Sequence, residues 1–221
     1  MSTTLTQADV EGLTLFRRGK VRDTFLLDDG TLLMVATDRI SAFDVVLPTP
    51  IPDKGRVLTQ ISRWWFEQAG SIVPNHLLPD RSDVMTPEVW DEMAERSMRC
   101  QRAQRIDVEC VVRGYLSGSG WKEYAQSGTL AGEAVPAGLE ESSQLPEYRF
   151  TPASKNDTGH DVNISRAQLA NLYGTEMAGR LESASLQLFR FASQHCRDRG
   201  IILADTKFEF GIVEGALTLI D

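Results

Sequence analysis

Four short segments of the 221-residue chain carry side chains whose types and spacing suit chemistry. Gly19-Lys20-Val21-Arg22 sets two cations two residues apart beside a glycine. On a strand both point to one face, the ammonium as a point charge and the guanidinium as a fork for phosphate oxygens. The exposed face of an edge strand would use the same residues. Asp38-Arg39-Ile40-Ser41-Ala42-Phe43-Asp44 mixes two carboxylates, a guanidinium and a hydroxyl behind an apolar strand. It reads either as an ion-paired loop or as a loop presenting carboxylates to a ligand or metal. Arg113-Gly114-Tyr115-Leu116-Ser117-Gly118-Ser119-Gly120-Trp121 runs from a strand through a Gly/Ser turn into a helix. Free N–H groups at a helix start, small hydroxyls and an arginine make an anion site. A plain tight turn explains the glycines, but not Arg113 and Ser119 together.

The fourth segment is Asp205-Thr206-Lys207-Phe208-Glu209-Phe210-Gly211. Alternation puts Asp205, Lys207 and Glu209 on one strand face and Thr206, Phe208 and Phe210 on the other. That is either the solvated side of a hairpin or a magnesium-nucleotide face, because Mg²⁺ takes one or two carboxylates plus phosphate oxygens. Asp221 joins this face only if the register allows. A two-residue turn at Glu214-Gly215 sets Asp221 opposite Phe208, and a three-residue turn sets it opposite Glu209.

These segments need elements to hold them. Residues 13–16, 21–27 and 31–37 read as strands, with Asp28-Asp29-Gly30 as a hairpin turn. After Pro48-Thr49-Pro50-Ile51-Pro52, a helix is predicted over 56–69, with Val57, Leu58, Ile61, Trp64 and Trp65 as its apolar stripe and Gly70 as its stop. Pro87 opens a short helix. Residues 98–103 and 106–116 read as strands, the second apolar enough to be interior, and residues 121–126 as a helix. Residues 128–160 look like a long loop, rich in Gly and Pro, and a candidate lid. Ser165 is a predicted N-cap for helices over 166–173 and 176–199, with Gly200 as the stop. A hairpin over 201–213 and 216–220 ends the chain. Strands, then helices, then a hairpin predict an α+β fold rather than an alternating doubly wound sheet.

Composition excludes several classes. A 42% hydrophobic share is ordinary for a globular chain, and 23 cations against 31 carboxylates give a net charge of −8. That balance argues against a nucleic-acid or anionic-membrane binder. No apolar run approaches membrane-spanning length, and residues 1–11 lack the pattern of a signal peptide, so the expectation is a soluble, cytoplasmic protein. Cys100, Cys110 and Cys196 show no CxxC, and His76, His160 and His195 no HxxxH, which argues against a disulfide framework or structural zinc. His195 follows Leu181, Leu188 and Phe191 at helical spacing and reads as packing. Neither GxxxxGK[ST] nor GxGxxG occurs, so P-loop and Rossmann readings have no support.

The wording of the segments resembles one family, the SAICAR synthetases, from about Gly19 to Asp221. The shared stretches are GKVRDTF (19–25), DRISAFD (38–44), IPDKGRVLTQIS (51–62), VECVVRGYLSGSGWKEY (108–124), FTPASKNDTGHD (150–161) and GIILADTKFEFG (200–211). The resemblance implies a two-lobed α+β fold: an antiparallel-sheet ATP lobe over 1–105, a larger α+β lobe over 106–221, and a cleft between. It implies an ATP-dependent ligase of purine biosynthesis. ATP phosphorylates the carboxylate of 5-aminoimidazole-4-carboxylate ribonucleotide (CAIR), and the amine of L-aspartate displaces the phosphate. Implied on the ATP side are Gly19, Lys20 and Arg22 for the phosphates and the backbone around Gln104 and Arg105 for adenine. Glu209 and Asp221 would be Mg²⁺ ligands, with Lys207 close by. Arg113, Gly118, Ser119 and Gly120 would take the ribonucleotide phosphate. Asp44 and Asp161 would serve the imidazole and a second metal, and Lys155 a substrate carboxylate, with Arg39 and Ser41 as neighbours. Lys20, Asp44, Lys155, Asp161 and Lys207 are the implied catalytic set. Family members continue past the equivalent of Asp221 with a TPDSSR-like segment, so the chain reads as truncated, and a catalytically incomplete ATP-binding fragment is the alternative. Monomer and homodimer both stay open.

Overall fold

A computed structural model describes residues 4–154 and 162–221. They fall into two compact units, one drawn from Met1–Ser71 and Asn75–Ala103, the other from Ile72–Pro74 and Gln104–Asp221. Every pairing between strands is antiparallel, and helices pack on the sheets, which makes the fold α+β.

In the first unit, β1 (Thr14–Arg18), β2 (Arg22–Leu26), β3 (Leu32–Ala36) and β6 (Ser97–Cys100) form one sheet in the order β1-β2-β3-β6. Alternation along β2 and β3 turns Phe25, Leu33 and Val35 into a core shared with Ala8, Val10, Leu27 and Met93, the last from α2 (Pro87–Met93). β1 is an exposed edge. A separate two-stranded hairpin, β4 (Ser41–Ala42) and β5 (Val45–Val46), projects after β3.

Helix α1 (Lys54–Ala69) starts two residues before the predicted position. Its N-cap, Asp53, lies in the left-handed region (φ 61°) and gives no side-chain cap. The capping carboxylate comes instead from Asp38, whose Oδ1 accepts the Gly55 N–H at 3.0 Å. Asp38 also accepts from the Leu5 N–H (2.7 Å) and from Arg96 Nη1 (3.1 Å). Neither side chain reaches solvent: Asp38 is 0% and Arg96 2% exposed. Burial alone would raise the Asp38 pKa, but the Gly55 and Leu5 N–H groups and the Arg96 charge outweigh it and hold the carboxyl below its ordinary value. Gly55 is required here, since a Cβ would stand 2.3 Å from the Ala36 carbonyl oxygen.

The predicted apolar stripe of α1 is not its buried face. Gly55, Thr59, Phe66 and Ala69 face inward, while Val57, Leu58 and Ile61 are exposed and Trp64 packs edge-to-face on Trp65. The close approach of Gly55 to Ala36 fixes the helix rotation, and with it which residues face the sheet.

The second unit is built on β8 (Val108–Tyr115), which runs through a five-stranded sheet. β11 (Gln144–Phe150) and β12 (Ala153–Ser154) pair with it, β13 (Val162–Asn163) extends β12, and β14 (Asp205–Phe208) also pairs with β8. A three-stranded sheet follows, in the order β16-β15-β7: β7 (Gln104–Arg105), β15 (Phe210–Val213) and β16 (Ala216–Leu219). The long helix α5 (Thr175–Arg197) lies on β8 and β11 and pairs with α4 (Arg166–Tyr173). Ser165 caps α4 through a full capping box with Gln168, as its position predicts.

Residues 128–160 are not one long loop. α3 (Gly118–Ser127) leads into the hairpin β9 (Thr129–Leu130) and β10 (Glu133–Ala134), and β11 is an integral sheet edge. Pro146 hides that strand in the sequence. It sits where the β11–β8 register slips between Gln144 and Arg149, on an edge strand where a missing N–H is tolerated. A lid is therefore excluded for 144–150. The α3 helix also begins earlier than predicted, at Gly118, so the Gly/Ser turn is its first turn.

Asp38 supplies a stability prediction. Its folded-state pKa lies below the unfolded value of about 3.9, so its contribution is present above that value and is lost as the pH falls through the folded one. Asp38→Asn leaves Arg96 buried without a charge partner and should cost roughly 3–5 kcal/mol. Urea unfolding at pH 7 and pH 3 should show a much smaller acid dependence in the variant. Equal stability and equal acid slopes would remove Asp38 from this role.

Candidate active site

In the first unit, the Gly19-Lys20-Val21 turn between β1 and β2 is held from its carbonyl side. Arg39 donates from Nη2 to the Gly19 carbonyl and from Nε to the Lys20 carbonyl, both at 2.9 Å. It also donates to Thr6 and pairs with the buried Asp23 at 2.8 Å. Thr37 closes the other flank through its N–H and hydroxyl to the Val21 carbonyl. With its carbonyls engaged, the turn projects Lys20 outward, where Nζ forms an ion pair with Asp44 Oδ1. Asp44 stands at the tip of the β4–β5 hairpin, where Phe43 (φ 51°) and Asp44 (φ 64°) make a turn with both central residues in the left-handed region. Asp tolerates that region. Phe does so poorly, and Phe43 is fully exposed there. Ser41 and Val46 pair at the foot of the same hairpin.

The DRISAFD segment thus divides by role. Asp38 and Arg39 are spent on the fold, Asp38 on α1 and Arg96, Arg39 on the turn. Ser41 is half-buried at the foot of the hairpin, and Asp44 is exposed at its tip, paired with Lys20.

In the second unit, one face of the β8 sheet packs under α5 and the opposite face carries the charges. Gly114 lies beneath the Phe189 and Tyr148 rings, where a Cβ would stand 3.3 Å from Phe189. The Cys110 thiol is buried on this face and pushed up to about 12, chiefly by burial, which leaves it protonated and without nucleophilic character at neutral pH. Glu109, Val111 and Arg113 point the other way. Cross-strand register puts Asp205 opposite Arg113 and Lys207 opposite Val111, so all four charged side chains share that face.

Arg113 is the centre of one cluster. Its Nη1 pairs with Asp205 Oδ2 at 3.0 Å and its Nη2 donates to Ser119 Oγ at 2.9 Å. Nε donates to Thr151 Oγ1 at 3.2 Å. Gly120, in the first turn of α3, lies flat against the guanidinium: a Cβ there would stand 3.1–3.3 Å from Cδ, Nε and Cζ. Gly118 takes a positive φ of 56° that lets the chain enter the helix beside Ser117. Burial draws the Arg113 pKa below its ordinary value, with the Asp205 charge opposing. An arginine stays charged regardless. A buried guanidinium, a hydroxyl and the start of a ten-residue helix together suit a phosphate.

The second cluster is acidic. Lys207 Nζ bridges Glu109 Oε1 (2.6 Å) and Glu209 Oε1 (3.2 Å). Burial lowers the Lys207 pKa, but the Glu109 hydrogen bond and the Glu209 and Glu109 charges overcome it, and the net shift is upward. Glu209 sits where the strand leaves β8's sheet as β14 and enters the next as β15. The Asp221 register follows neither simple turn. Glu214-Gly215 is a two-residue turn pairing Val213 with Ala216, yet the Ile220 and Asp221 N–H groups both donate to the Glu209 carbonyl, at 2.9 and 3.3 Å. The Glu209 N–H in turn donates to the Asp221 carbonyl at 2.9 Å. This is a β-bulge in which two residues oppose one, and it brings Asp221 alongside Glu209.

Gln104 and Arg105 pair with Ile212 and Gly211 at the outer edge of this sheet, and Arg105 also meets Asp107 at 2.6 Å. Lys155 and Asp161 lie outside the described residues. Sequence reasoning missed Glu109, which strand alternation on β8 already set on the face of Arg113, and Thr151, which no pattern marks. Among the described residues no group of three or more His, Cys, Asp or Glu side chains forms a ready metal cage. No helix among them is long and apolar enough to cross a membrane.

Comparison with known proteins identifies the family. A family model described as SAICAR synthetase matches residues 15–221. A phosphoribosylaminoimidazole-succinocarboxamide synthase of Thermodesulfovibrio yellowstonii is 48% identical over 225 residues, covering 100% of this chain and 76% of the relative. Another, of Syntrophobacter fumaroxidans, is 51% identical, covering 97% of this chain and 72% of the relative. The solved SAICAR synthase of Saccharomyces cerevisiae complexed with SAICAR superposes with a TM-score of 0.89 at 40% identity, over 99% of this chain and 76% of that one. The chain belongs to the SAICAR synthetase family.

Proposed function

We propose that the clusters described above divide the labour of the family's ligase reaction, in which ATP drives the joining of CAIR and L-aspartate. A free carboxylate is a poor electrophile, so its oxygen first attacks the γ-phosphorus of ATP and the bond to ADP breaks. The aspartate amine then attacks the acyl phosphate, loses its proton, and phosphate leaves. The protein's share is positioning and charge neutralisation.

Gly19, Lys20 and Arg22 hold the ATP phosphates, with Arg39 positioning their turn through its carbonyls. The outer edge of β7, at Gln104 and Arg105, offers backbone groups outside the ladder to the adenine. Arg113, Ser119, Gly118 and Gly120 take the CAIR phosphate. Asp44 and Ser41 serve the imidazole side. Lys155 and Asp161 are assigned by motif alone, Lys155 to a substrate carboxylate and Asp161 with Asp44 to a second metal. Lys207 neutralises charge on the transferring phosphoryl group.

The residues fit Mg²⁺ on the nucleotide side. The bulge pairs the main chains of Glu209 and Asp221, and two carboxylates are the number this ion takes when phosphate oxygens and water complete its shell. Bound there, Mg²⁺ would offset charge on the phosphates. The observation that carries the reading is this bulge, since a regular ladder would have turned Asp221 to the other face.

The test is ADP release by this chain with MgATP, omitting CAIR and aspartate in turn, with mass detection of a succinocarboxamide nucleotide. Release that needs both substrates supports the ligase; nucleotide binding without aspartate-dependent turnover would favour an ATP-binding fragment instead. Arg113→Ala removes a charge-assisted contact worth roughly 1.5–3 kcal/mol, so the CAIR KM should rise about 10- to 100-fold while the ATP KM moves little. Gly120→Ala should act in the same direction, more weakly, by pushing the guanidinium off its seat. Glu209→Gln should instead raise the MgATP requirement, and an unchanged Mg²⁺ titration would take Glu209 out of the metal set.

A further inference from the structure

We infer that Lys54 is a third phosphate-holding cation in the ATP grip of Lys20 and Arg22, an inference that rests on the reading of that grip given above. Lys54 opens α1, far from the glycine turn in sequence. Register sets Arg22 opposite Ala36, and Gly55 lies directly on the Ala36 carbonyl, so Lys54 is pinned near Arg22 by main-chain contacts. The Gly55 N–H bond to the buried Asp38 fixes the same residues from behind.

The ammonium at this position works against the fold in three ways. Its side chain is half-buried, and no acceptor among the described residues takes a hydrogen bond or ion pair from Nζ. The nearest buried carboxylate, Asp38, already accepts from Leu5, Gly55 and Arg96. Burial draws the Lys54 pKa down, the Asp38 charge offsets part of this, and the Arg22 guanidinium lowers it further, leaving it below that of a free lysine. Lastly, a cation in the first turn of a 16-residue helix meets the positive end of the helix dipole. A polyphosphate relieves all three at once: it supplies acceptors, neutralises the repulsion between Lys54 and Arg22, and puts negative charge at the helix start. A purely structural lysine would be held here by its aliphatic stem, which methionine reproduces without the charge.

Calorimetric titration of the full chain with ATP and Mg²⁺, alongside titration with CAIR, tests this without requiring turnover. Lys54→Met should weaken ATP binding about tenfold or more, leave CAIR binding within about twofold, and not lower the melting temperature of the ligand-free protein. Lys54→Arg should recover most of the ATP affinity. ATP binding by Lys54→Met within about twofold of the parent, or a loss confined to CAIR, would overturn the inference. Arg22→Ala separates it from the reading on which it rests. If Arg22→Ala weakens ATP and Lys54→Met does not, Lys54 alone is wrong. If Arg22→Ala binds ATP unchanged, or the parent chain binds none, the grip itself falls and Lys54 with it.

Discussion

A single carboxylate without solvent exposure organises the first unit. Asp38 receives an N–H from the N-terminal segment, an N–H from the first turn of α1 and the guanidinium of Arg96. Each partner comes from a different part of the chain, so one residue sets where α1 begins, how it is rotated and how it meets the sheet. Arg39, the next residue, does the same for the β1–β2 turn through Gly19, Lys20 and Asp23. A buried ion pair is weak evidence for stability in general, since hydrophobic replacements often do as well. Here its content is specificity. No apolar side chain offers the donors and acceptors that fix α1 against β3 with a glycine on a carbonyl.

The same tolerance for close approach recurs in the second unit. Gly120 gives Arg113 a flat seat, and Gly114 gives Phe189 and Tyr148 theirs, on opposite faces of one strand system. β8 thereby separates packing from chemistry: Cys110 and Gly114 face α5, while Glu109 and Arg113 face away with Asp205 and Lys207. Period-two alternation is enough to produce this division once β14 pairs with β8 antiparallel and in continuous register.

Much of this was legible in the sequence. Strands β2, β3 and β8, the Ser165 cap of α4, and all four charged segments follow from alternation, turn residues and helix caps. The misses have physical causes. The stripe Val57, Leu58 and Ile61 has the right period but the wrong face, because the Gly55–Ala36 approach, a long-range contact, sets the rotation of α1. β11 carries a proline and a register slip, and both erase a strand's local pattern. Asp221 reaches Glu209 through a bulge, which inserts a residue that turn-length counting cannot anticipate. Within Asp38–Asp44 the residue types showed that charge would matter, but not which members would be buried. That depended on Leu5 and Arg96, each more than 30 residues from Asp38.

Exposure separates the ion pairs that serve the fold from those suited to exchange. Asp38 and Arg96 are both enclosed, so breaking that pair strands a charge in a low-dielectric interior. Lys20 and Asp44 are 54% and 67% exposed, and solvent screens the pair enough that an anion such as a phosphate could take the place of Asp44 beside Lys20 at little cost. Arg113 with Asp205 lies between, the guanidinium 7% and the carboxylate 42% exposed. That asymmetry matters for an anion site. The cation is held by Thr151 and Ser119 and backed by Gly120 as well as by Asp205, so a phosphate bound as proposed would meet a preorganised donor and displace only the more exposed member of the pair. On that proposal, preference for a doubly charged phosphate over a lone carboxylate would follow, because Asp205 already satisfies the guanidinium with one negative charge, and only a group with more charge and more acceptor oxygens gains by replacing it.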